Sequence, residues 1–163
     1  MKSATDLHWN ERALSEADPA KVNISDTVQR DLELDFIVEN LDRTARMLEV
    51  GCGNGHVTKI LRERVAHVDA FDYAENMVRR ARELHGEQNN RFFHDNIIAP
   101  EHVKAPYDSI LCVRVLINLR SLMEQQTALR NMARLLRPSG TLILIEGFAD
   151  GFEALNDLRK RSG

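Results

Sequence analysis

The residues of this sequence best suited to chemistry lie around a glycine-rich segment, Glu49–Gly55. Gly51, Gly53 and Gly55 alternate directly after an apolar run and directly before a helical pattern. Glycine allows tight turns and lets a ligand approach where a Cβ would collide. Asp72 ends a second predicted strand about 20 residues later, the spacing at which an acid accepts hydrogen bonds from ribose hydroxyls. The pattern predicts a site for a cofactor that contains a nucleoside.

The spacing of the glycines bears on which cofactor is bound. A dinucleotide fingerprint, G-x-G-x-x-G, requires a third glycine where this chain has His56, whose imidazole would crowd the pyrophosphate. Asp72 suits the ribose of either cofactor class but would repel a 2′-phosphate. The mismatch weakens the dinucleotide interpretation without excluding it, so a nicotinamide-dependent oxidoreductase stays open as an alternative.

Strand and helix patterns alternate along the chain, which predicts an α/β fold with a doubly wound, mostly parallel sheet. Tyr107–Val113 is an apolar strand of the kind that is buried on both faces. Arg137–Gly140 has proline second and glycine fourth, which indicates a type I turn. Strands are predicted at about 46–50, 66–72, 91–94, 107–113 and 141–145, and helices after the capping box at 26–29, from the glycine loop to about 64, at 75–85, after Ser121, and at 152–160.

The length of 163 residues fits one domain, which we assign to residues 25–163. Residues 1–24 are polar and are predicted to be irregular. Trp9, Asn10 and Arg12 lie in this segment, and two interpretations of it are equal. It is either part of a lid over the cofactor or a plug against the core.

Composition and charge narrow the class of protein. The net charge of −3 does not indicate nucleic-acid binding or attraction to a membrane. We find no apolar stretch long enough to cross a bilayer and no signal-peptide pattern, and we expect a cytoplasmic protein. The six histidines show no metal-binding spacing, so no metal is assigned. Cys52 and Cys112 are expected to be small buried side chains, with a redox-sensitive pair as the less favoured alternative.

Five segments together resemble a class I S-adenosylmethionine-dependent methyltransferase, in the family's order and spacing over roughly residues 45–148. The resemblance implies a Rossmann-like sheet and S-adenosylmethionine as the cofactor. The family usually adds two further strands after a helix near residue 150, and this sequence stops at Gly163. We therefore expect a C-terminally truncated domain, or a homodimer partner that covers the edge of the fifth strand. The segments are Glu49–Gly55, Asp72–Met77, His94–Asn96, Tyr107–Cys112 and Leu135–Glu146.

The resemblance also implies roles for individual residues. The backbone of Gly51, Cys52 and Gly53 would pass along the amino-acid portion of the cofactor. Glu49 would order the loop and assist the cofactor's ammonium group, and Asp72 would hold the ribose diol. The remaining implied contacts are Tyr73 and Met77 near the adenine, Asp95 and Asn96 at its exocyclic amine, and the main chain of Val113 and Arg114 at the cofactor tail.

Each implied role has a structural alternative. Glu49 is otherwise an acid that contacts a helix, and Asp72 a capping acid at the end of a strand. Asp95 with Asn96 also fits an ordinary turn. Tyr73 and Met77 fit the hydrophobic core equally well.

The acceptor side of the site is less well marked. Arg114 or Asn118, just after the fourth predicted strand, would either orient an oxygen-bearing acceptor or only cap and hydrogen-bond the loop. His94 would either act as a base, since histidine is a common general base near neutral pH, or be a structural residue at the end of a strand. Cys112–Val115 occupies the position of the N-P-P-Y-like tetrapeptide that marks methylation of base or amide nitrogen in this family. Its absence argues against nucleic-acid and protein-amide targets and favours oxygen or nitrogen of a small molecule. A non-catalytic cofactor-binding or scaffold subunit is the second hypothesis.

Overall fold

The computed structural model describes residues 4–15 and 27–161, and its centre is a parallel sheet of five strands in the order β3-β2-β1-β4-β5. The predicted doubly wound, Rossmann-like α/β fold is confirmed. The strands are β1 (Arg46–Val50), β2 (His67–Asp72), β3 (Asn90–His94), β4 (Tyr107–Val113) and β5 (Leu136–Ile145). The helices are α1 (Ala4–Ser15), α2 (Thr27–Glu39), α3 (His56–Leu61), α4 (Glu75–His85), α5 (Leu122–Leu135) and α6 (Ala149–Arg161).

The inner strands are apolar on both faces because helices cover both sides of the sheet. Met47 and Leu111 pack into the core on one face, whereas Leu48 and Ile110 pack into the core on the other. The β1 residues are paired in register with β2 on one side and β4 on the other. This arrangement brings the carboxyl ends of β1, β2 and β4 to the same edge of the sheet.

Most predicted elements occur where the pattern placed them, and β4 and α4 agree at both ends. Helix α3 ends at Leu61 rather than near residue 64. The Asn89 side chain donates to the carbonyls of Arg62 and Val65, at 3.1 and 3.2 Å. Past Leu61, the N–H groups of Glu63 and Arg64 donate to carbonyls three residues earlier, so the helix gives way to tighter turns, and Asn89 binds carbonyls of this segment. Asp26, the predicted cap of α2, lies outside the described residues.

The predicted turn at Arg137–Gly140 departs from the expected type. Ser139, its third residue, has a φ of 64°, which a type I turn excludes and a type II turn requires. Leu136 pairs with Tyr107 and Thr141 pairs with Ser109, so the turn residues bulge out within β5.

The N-terminal segment is helical over Ala4–Ser15, which corrects the prediction that it is irregular. Helix α1 packs against α4, where Trp9 and Ala13 contact the buried Ala74 and Met77. Trp9 and Ala13 are four residues apart and therefore share one helix face. The prediction missed this face because it consists of only one large and one small apolar residue.

Gly55→Ala is predicted to destabilise the protein strongly. Gly55 has a φ of 77°, and an added Cβ would lie 2.7 Å from Phe92 Cζ and 3.0 Å from Ala81 Cβ. Phe92 and Ala81 are fully buried and cannot move aside. Left-handed strain and overpacking together should lower the free energy of unfolding by about 3 kcal/mol, as measured by urea denaturation.

Gly151→Ala is the matched control, because an added Cβ there meets no atom within 4 Å and the residue lies in α6. It should leave stability unchanged or raise it by up to about 1 kcal/mol. Equal unfolding midpoints for the two variants would contradict the packing argument.

Candidate functional site

A cavity of about 340 Å³ opens at the carboxyl edge of the sheet, a size suited to a small molecule or cofactor. Nine residues predicted for the cofactor or acceptor line it: Gly51, Gly53, Asp72, Tyr73, Met77, Asn96, Val113, Arg114 and Asn118. Further lining residues that the sequence did not single out for the site are Thr5, Val50, Phe71, Ile97, Ile98, Val115, Ile117, Leu119, Arg120 and Glu124.

The glycine loop is tied to the end of β2. The N–H groups of Gly51 and Cys52 both donate to the carbonyl of Phe71, each at 2.9 Å. Gly51 has a φ of 73°, and a Cβ on it would lie 2.3 Å from Val115 Cγ2. The loop therefore requires glycine at this position, both for its backbone conformation and for its close approach to the segment after β4.

Asp72 is the buried acid of the site. Its Oδ2 accepts from the N–H of Gly53 at 2.9 Å, and its Oδ1 accepts from the N–H of Ala74 at 2.8 Å. Burial raises the pKa of Asp72 to about 6, against the opposing effect of these two N–H groups. The carboxylate holds the loop and the start of α4, and it has acceptor capacity left for a ligand in the cavity.

Glu49 lies behind the loop rather than on the cavity wall. Its Oε2 accepts a 2.5 Å hydrogen bond from Thr58 Oγ1 of α3, and burial raises its pKa to about 8. The contact connects β1 to α3 across the loop. The geometry therefore supports the loop-ordering role predicted for Glu49.

The two cysteines lie on opposite faces of the sheet. Cys52 belongs to the core cluster that contains Met47, and Cys112 belongs to the cluster that contains Leu48. Because these two clusters lie on opposite faces of the sheet, the sheet itself separates the two thiols. The structure favours the interpretation as two buried small side chains over a redox-sensitive pair. Cys52 contributes its backbone to the loop and does not line the cavity.

Two predicted residues lie away from the cavity. The Asp95 carboxylate accepts from the backbone N–H groups of Asn96, Glu101 and His102 at 2.8–3.2 Å, and so organises the loop after β3. This contact set differs from the predicted one with an adenine amine, because local N–H groups engage both oxygens. His94 is exposed, with Nε2 3.0 Å from the carbonyl of Tyr73, and this position does not suit a base acting in the cavity.

Helix α1 covers one side of the cavity. Thr5 and Trp9 line the cavity, and the Tyr73 hydroxyl donates to the carbonyl of Thr5 at 3.1 Å. Trp9 Nε1 donates to Asn118 Oδ1 at 3.4 Å, which connects the helix to the segment after β4. Met77 is both buried against α1 and part of the cavity wall, and its predicted contact with the adenine stays a prediction.

Glu146, directly after β5, organises the segment between β4 and α5 and was missed in the sequence. Its Oε1 accepts from the N–H groups of Val115 and Leu116, both at 2.8 Å, and its Oε2 accepts from Ile117 at 3.4 Å. Val115 and Ile117 line the cavity, so Glu146 shapes the wall without touching the interior. The only signal in the sequence was an acid at the end of a strand predicted to neighbour β4.

The side chains present indicate a cofactor site rather than a metal site. Among residues 4–15 and 27–161, no three His, Cys, Asp or Glu side chains are grouped so as to hold a metal ion. The cavity instead combines a glycine loop, a buried acid after the next strand and an apolar wall. Fold and site define an α/β protein of the kind that binds a nucleoside-containing cofactor at the carboxyl edge of its sheet.

Comparison with known proteins identifies the family. Residues 47–140 match the family model described as a methyltransferase domain, and these residues are more than half of the chain. A ubiquinone biosynthesis O-methyltransferase of Xylella fastidiosa is 32% identical over 118 residues, which cover 69% of this chain and 46% of that protein. An uncharacterized methyltransferase of Mycobacterium bovis is 29% identical over 102 residues, covering 63% of this chain and 50% of that protein.

Solved structures share the fold. N-methyltransferase NodS of Bradyrhizobium japonicum, in complex with S-adenosyl-L-homocysteine, superposes with a TM-score of 0.76 at 20% identity, covering 95% of this chain and 86% of that one. Phosphoethanolamine N-methyltransferase 1 of Haemonchus contortus gives a TM-score of 0.74 at 20% identity over 90% of this chain and 32% of that one.

The chain belongs to the methyltransferase domain family, with the fold of the class I S-adenosylmethionine-dependent enzymes, as its sequence motifs predicted. It spans about half the length of the curated relatives it matches. None of the helices in the described part of the chain is both long and apolar enough to cross a membrane.

Glu146→Ala is predicted to loosen the cavity wall while leaving the sheet folded. Removing a carboxylate that accepts from three backbone N–H groups should speed amide hydrogen exchange at residues 115–117 by about tenfold or more. Hydrogen exchange followed by mass spectrometry measures this change.

Glu153→Ala is the matched control, because Glu153 is an exposed acid on α6. It should leave exchange at residues 115–117 unchanged. The same rates in both variants would mean that Glu146 does not hold the segment.

Proposed function

We propose that this protein binds S-adenosylmethionine in the cavity and transfers its methyl group to an oxygen or nitrogen atom of a small molecule. Family membership supports the chemistry, and the single observation that carries the proposal for this chain is Asp72. It is a buried acid on the cavity wall, joined to the glycine loop by the 2.9 Å bond from Gly53 N.

The residues present fit this cofactor. Asp72 is 6% exposed, and a ribose diol would supply two donors to its remaining acceptor sites. Gly51 has no side chain and lies close to Val115, so at this position the loop presents its backbone to a ligand. Gly51 and Gly53 would contact the amino-acid portion, with the main chain of Val113 and Arg114 on the opposite side.

Adenine binding is proposed at the apolar part of the wall. Phe71, Tyr73 and Met77, close to Asp72 in the sequence, line the cavity. Ile97 and the polar Asn96, which follow the neighbouring strand β3, line it as well. We assign any contact with the exocyclic amine to Asn96, since the Asp95 carboxylate is occupied by loop N–H groups.

The protein's part in the reaction is mainly positional. Bound S-adenosylmethionine supplies a methyl group on a positively charged sulfur, so the electrophile carries its own activation. The chain would align the acceptor with this methyl group and exclude water, and such alignment alone accelerates a bimolecular step by a large factor. The apolar side chains of Ile98, Ile117 and Leu119 would surround the acceptor.

No general base is assigned. Of the acids on the described cavity wall, Asp72 serves the loop, and Glu124 Oε2 accepts from the N–H of Arg120 at 2.8 Å. His94 lies outside the wall. The proposal therefore favours acceptors that lose their proton easily or have a free lone pair, such as phenols and amines, with solvent as the final proton acceptor.

The named relatives agree with a small-molecule acceptor but differ in the atom methylated. The Xylella relative is named as an O-methyltransferase, whereas NodS is named as an N-methyltransferase. No nucleic-acid or membrane partner is proposed. A cytoplasmic location and a homodimer stay predictions.

Asp72→Ala is predicted to weaken binding of S-adenosyl-L-homocysteine, the demethylated product. Loss of hydrogen bonds from the ribose diol to a carboxylate should raise Kd by about 10- to 100-fold. Isothermal titration calorimetry measures this change, with NADH as the competing ligand class. Asp157→Ala, which removes an exposed acid of α6, should bind like the unmodified chain. Tight NADH binding without S-adenosyl-L-homocysteine binding would overturn the proposal.

The affinity for S-adenosyl-L-homocysteine is predicted to fall in acid. Because the pKa of Asp72 is raised to about 6, its carboxyl group becomes protonated just below neutral pH and accepts fewer hydrogen bonds from ribose. If the ionised form alone binds, Kd should rise about tenfold between pH 7 and pH 5. Titrations at four pH values check this, and an Asp72→Asn variant should show a weak and nearly pH-independent affinity. The same slope in both proteins would assign the effect to another group.

A further inference from the structure

The Arg114 side chain joins α2 to the cavity wall and uses only part of its hydrogen-bonding capacity. Its Nη1 donates to both carboxylate oxygens of Glu33, at 2.8 and 2.7 Å. The side chains of Arg114 and Glu33 are 23% and 15% exposed, so water screens this ion pair only in part. Arg114 is also a cavity-lining residue.

The other edge of the guanidinium has no hydrogen-bond partner among the described residues. Nε is buried and makes no hydrogen bond, and Nη2 makes none with any described residue. Nε and Nη2 form the fork that binds a carboxylate through two parallel hydrogen bonds. A buried donor without an acceptor destabilises the structure, and a ligand oxygen at this edge would remove that cost.

The backbone of Arg114 is held in an unusual conformation. Its φ is 52°, which lies in a region that residues other than glycine rarely adopt. Its N–H donates to the carbonyl of Ile145 at 2.7 Å, and its carbonyl accepts from Asn118 Nδ2 at 2.7 Å. These two hydrogen bonds thus fix the backbone from which the Arg114 side chain extends. Such strain is maintained where the surrounding structure imposes it, and it clusters at ligand-binding sites.

Arg114 belongs to the acceptor side of the cavity. It is followed directly by the segment 115–120, five of whose residues line the cavity. The glycine loop and Asp72 follow β1 and β2, whereas Arg114 follows β4, on the other side of β1. The ribose site and the guanidinium therefore lie over different strands.

We propose that the Nε–Nη2 edge of Arg114 binds a carboxylate of the methyl acceptor, so that the preferred substrates are small carboxylic acids with an apolar body. This inference rests on the proposed methyltransferase function. The apolar body would contact Ile117 and Leu119, which also line the cavity. Glu33 acts as a positioning residue, because it holds the guanidinium at the wall and offsets part of its charge.

The test uses protein saturated with S-adenosyl-L-homocysteine, titrated with benzoate and with benzamide, its neutral analogue of nearly equal shape. Chemical-shift changes in ¹H–¹⁵N spectra give the two affinities. The unmodified chain should bind benzoate about tenfold more tightly than benzamide, the difference expected for a charge-assisted pair. Arg114→Gln should abolish this preference.

Variants of Glu33 separate recognition from structural support. Glu33→Gln should tighten benzoate binding several-fold, because the guanidinium would then keep its full charge. A merely structural ion pair would predict weaker or unchanged binding. The double variant, Glu33→Gln with Arg114→Gln, leaves no unpaired charge, should fold, and should show no preference for benzoate over benzamide.

Other outcomes overturn the inference in distinguishable ways. If S-adenosyl-L-homocysteine competes with benzoate and Arg114→Gln loses affinity for it, the guanidinium holds the cofactor's own carboxylate. If S-adenosyl-L-homocysteine binds normally and benzoate shows no preference over benzamide, the carboxylate site is wrong while the proposed function stands. If S-adenosyl-L-homocysteine does not bind at all, the proposed function fails and the inference fails with it.

Discussion

The site depends on one buried carboxylate, that of Asp72. Its two oxygens accept from Gly53 N in the glycine loop and from Ala74 N at the start of α4. The preceding carbonyl, that of Phe71, accepts from two more N–H groups of the same loop. The end of β2 thereby fixes the shape of a loop that begins at the end of β1. The cavity, the path of the backbone along it and the direction of α4 all follow from these few hydrogen bonds.

The buried acids Asp72 and Glu49 lower the free energy of unfolding at neutral pH. Burial raises the pKa of Asp72 to about 6 and that of Glu49 to about 8, both above the ordinary values for these groups. The native state therefore binds more protons than the unfolded chain over the intervening pH range. The free energy of unfolding accordingly falls as pH rises, from about 4 through 6 for Asp72 and on through 8 for Glu49. An amide at position 72 would avoid its part of this loss, so the proposed ligand-binding role accounts better for Asp72 than stability does.

The sequence predicted those parts of the molecule that short-range patterns encode. The alternation of strands and helices, the glycine loop and the ends of α4 and β4 are determined by residues close together in the chain. The errors concern long-range contacts. Glu146 acts on amides about thirty residues earlier, and Trp9 reaches Asn118 across 109 positions. The direction in which the Asp95 side chain points depends on the loop that follows it, whose conformation no local pattern specifies. The Arg114–Glu33 pair likewise joins two elements 81 residues apart.

The way in which α1 covers the cavity affects the order in which the molecule folds and opens. Its described hydrogen bonds with the rest of the protein join residues 66–109 positions apart, on α4, on Tyr73 two residues before α4 and on the segment after β4. Neither of the two large core clusters of the sheet includes a residue of α1. Closing such long loops is slow compared with local folding, so α1 is expected to dock after the sheet has formed. Since α1 lies outside these two clusters, it can detach by local unfolding while the sheet stays intact, and the glycine loop would then keep its hydrogen bonds to the end of β2.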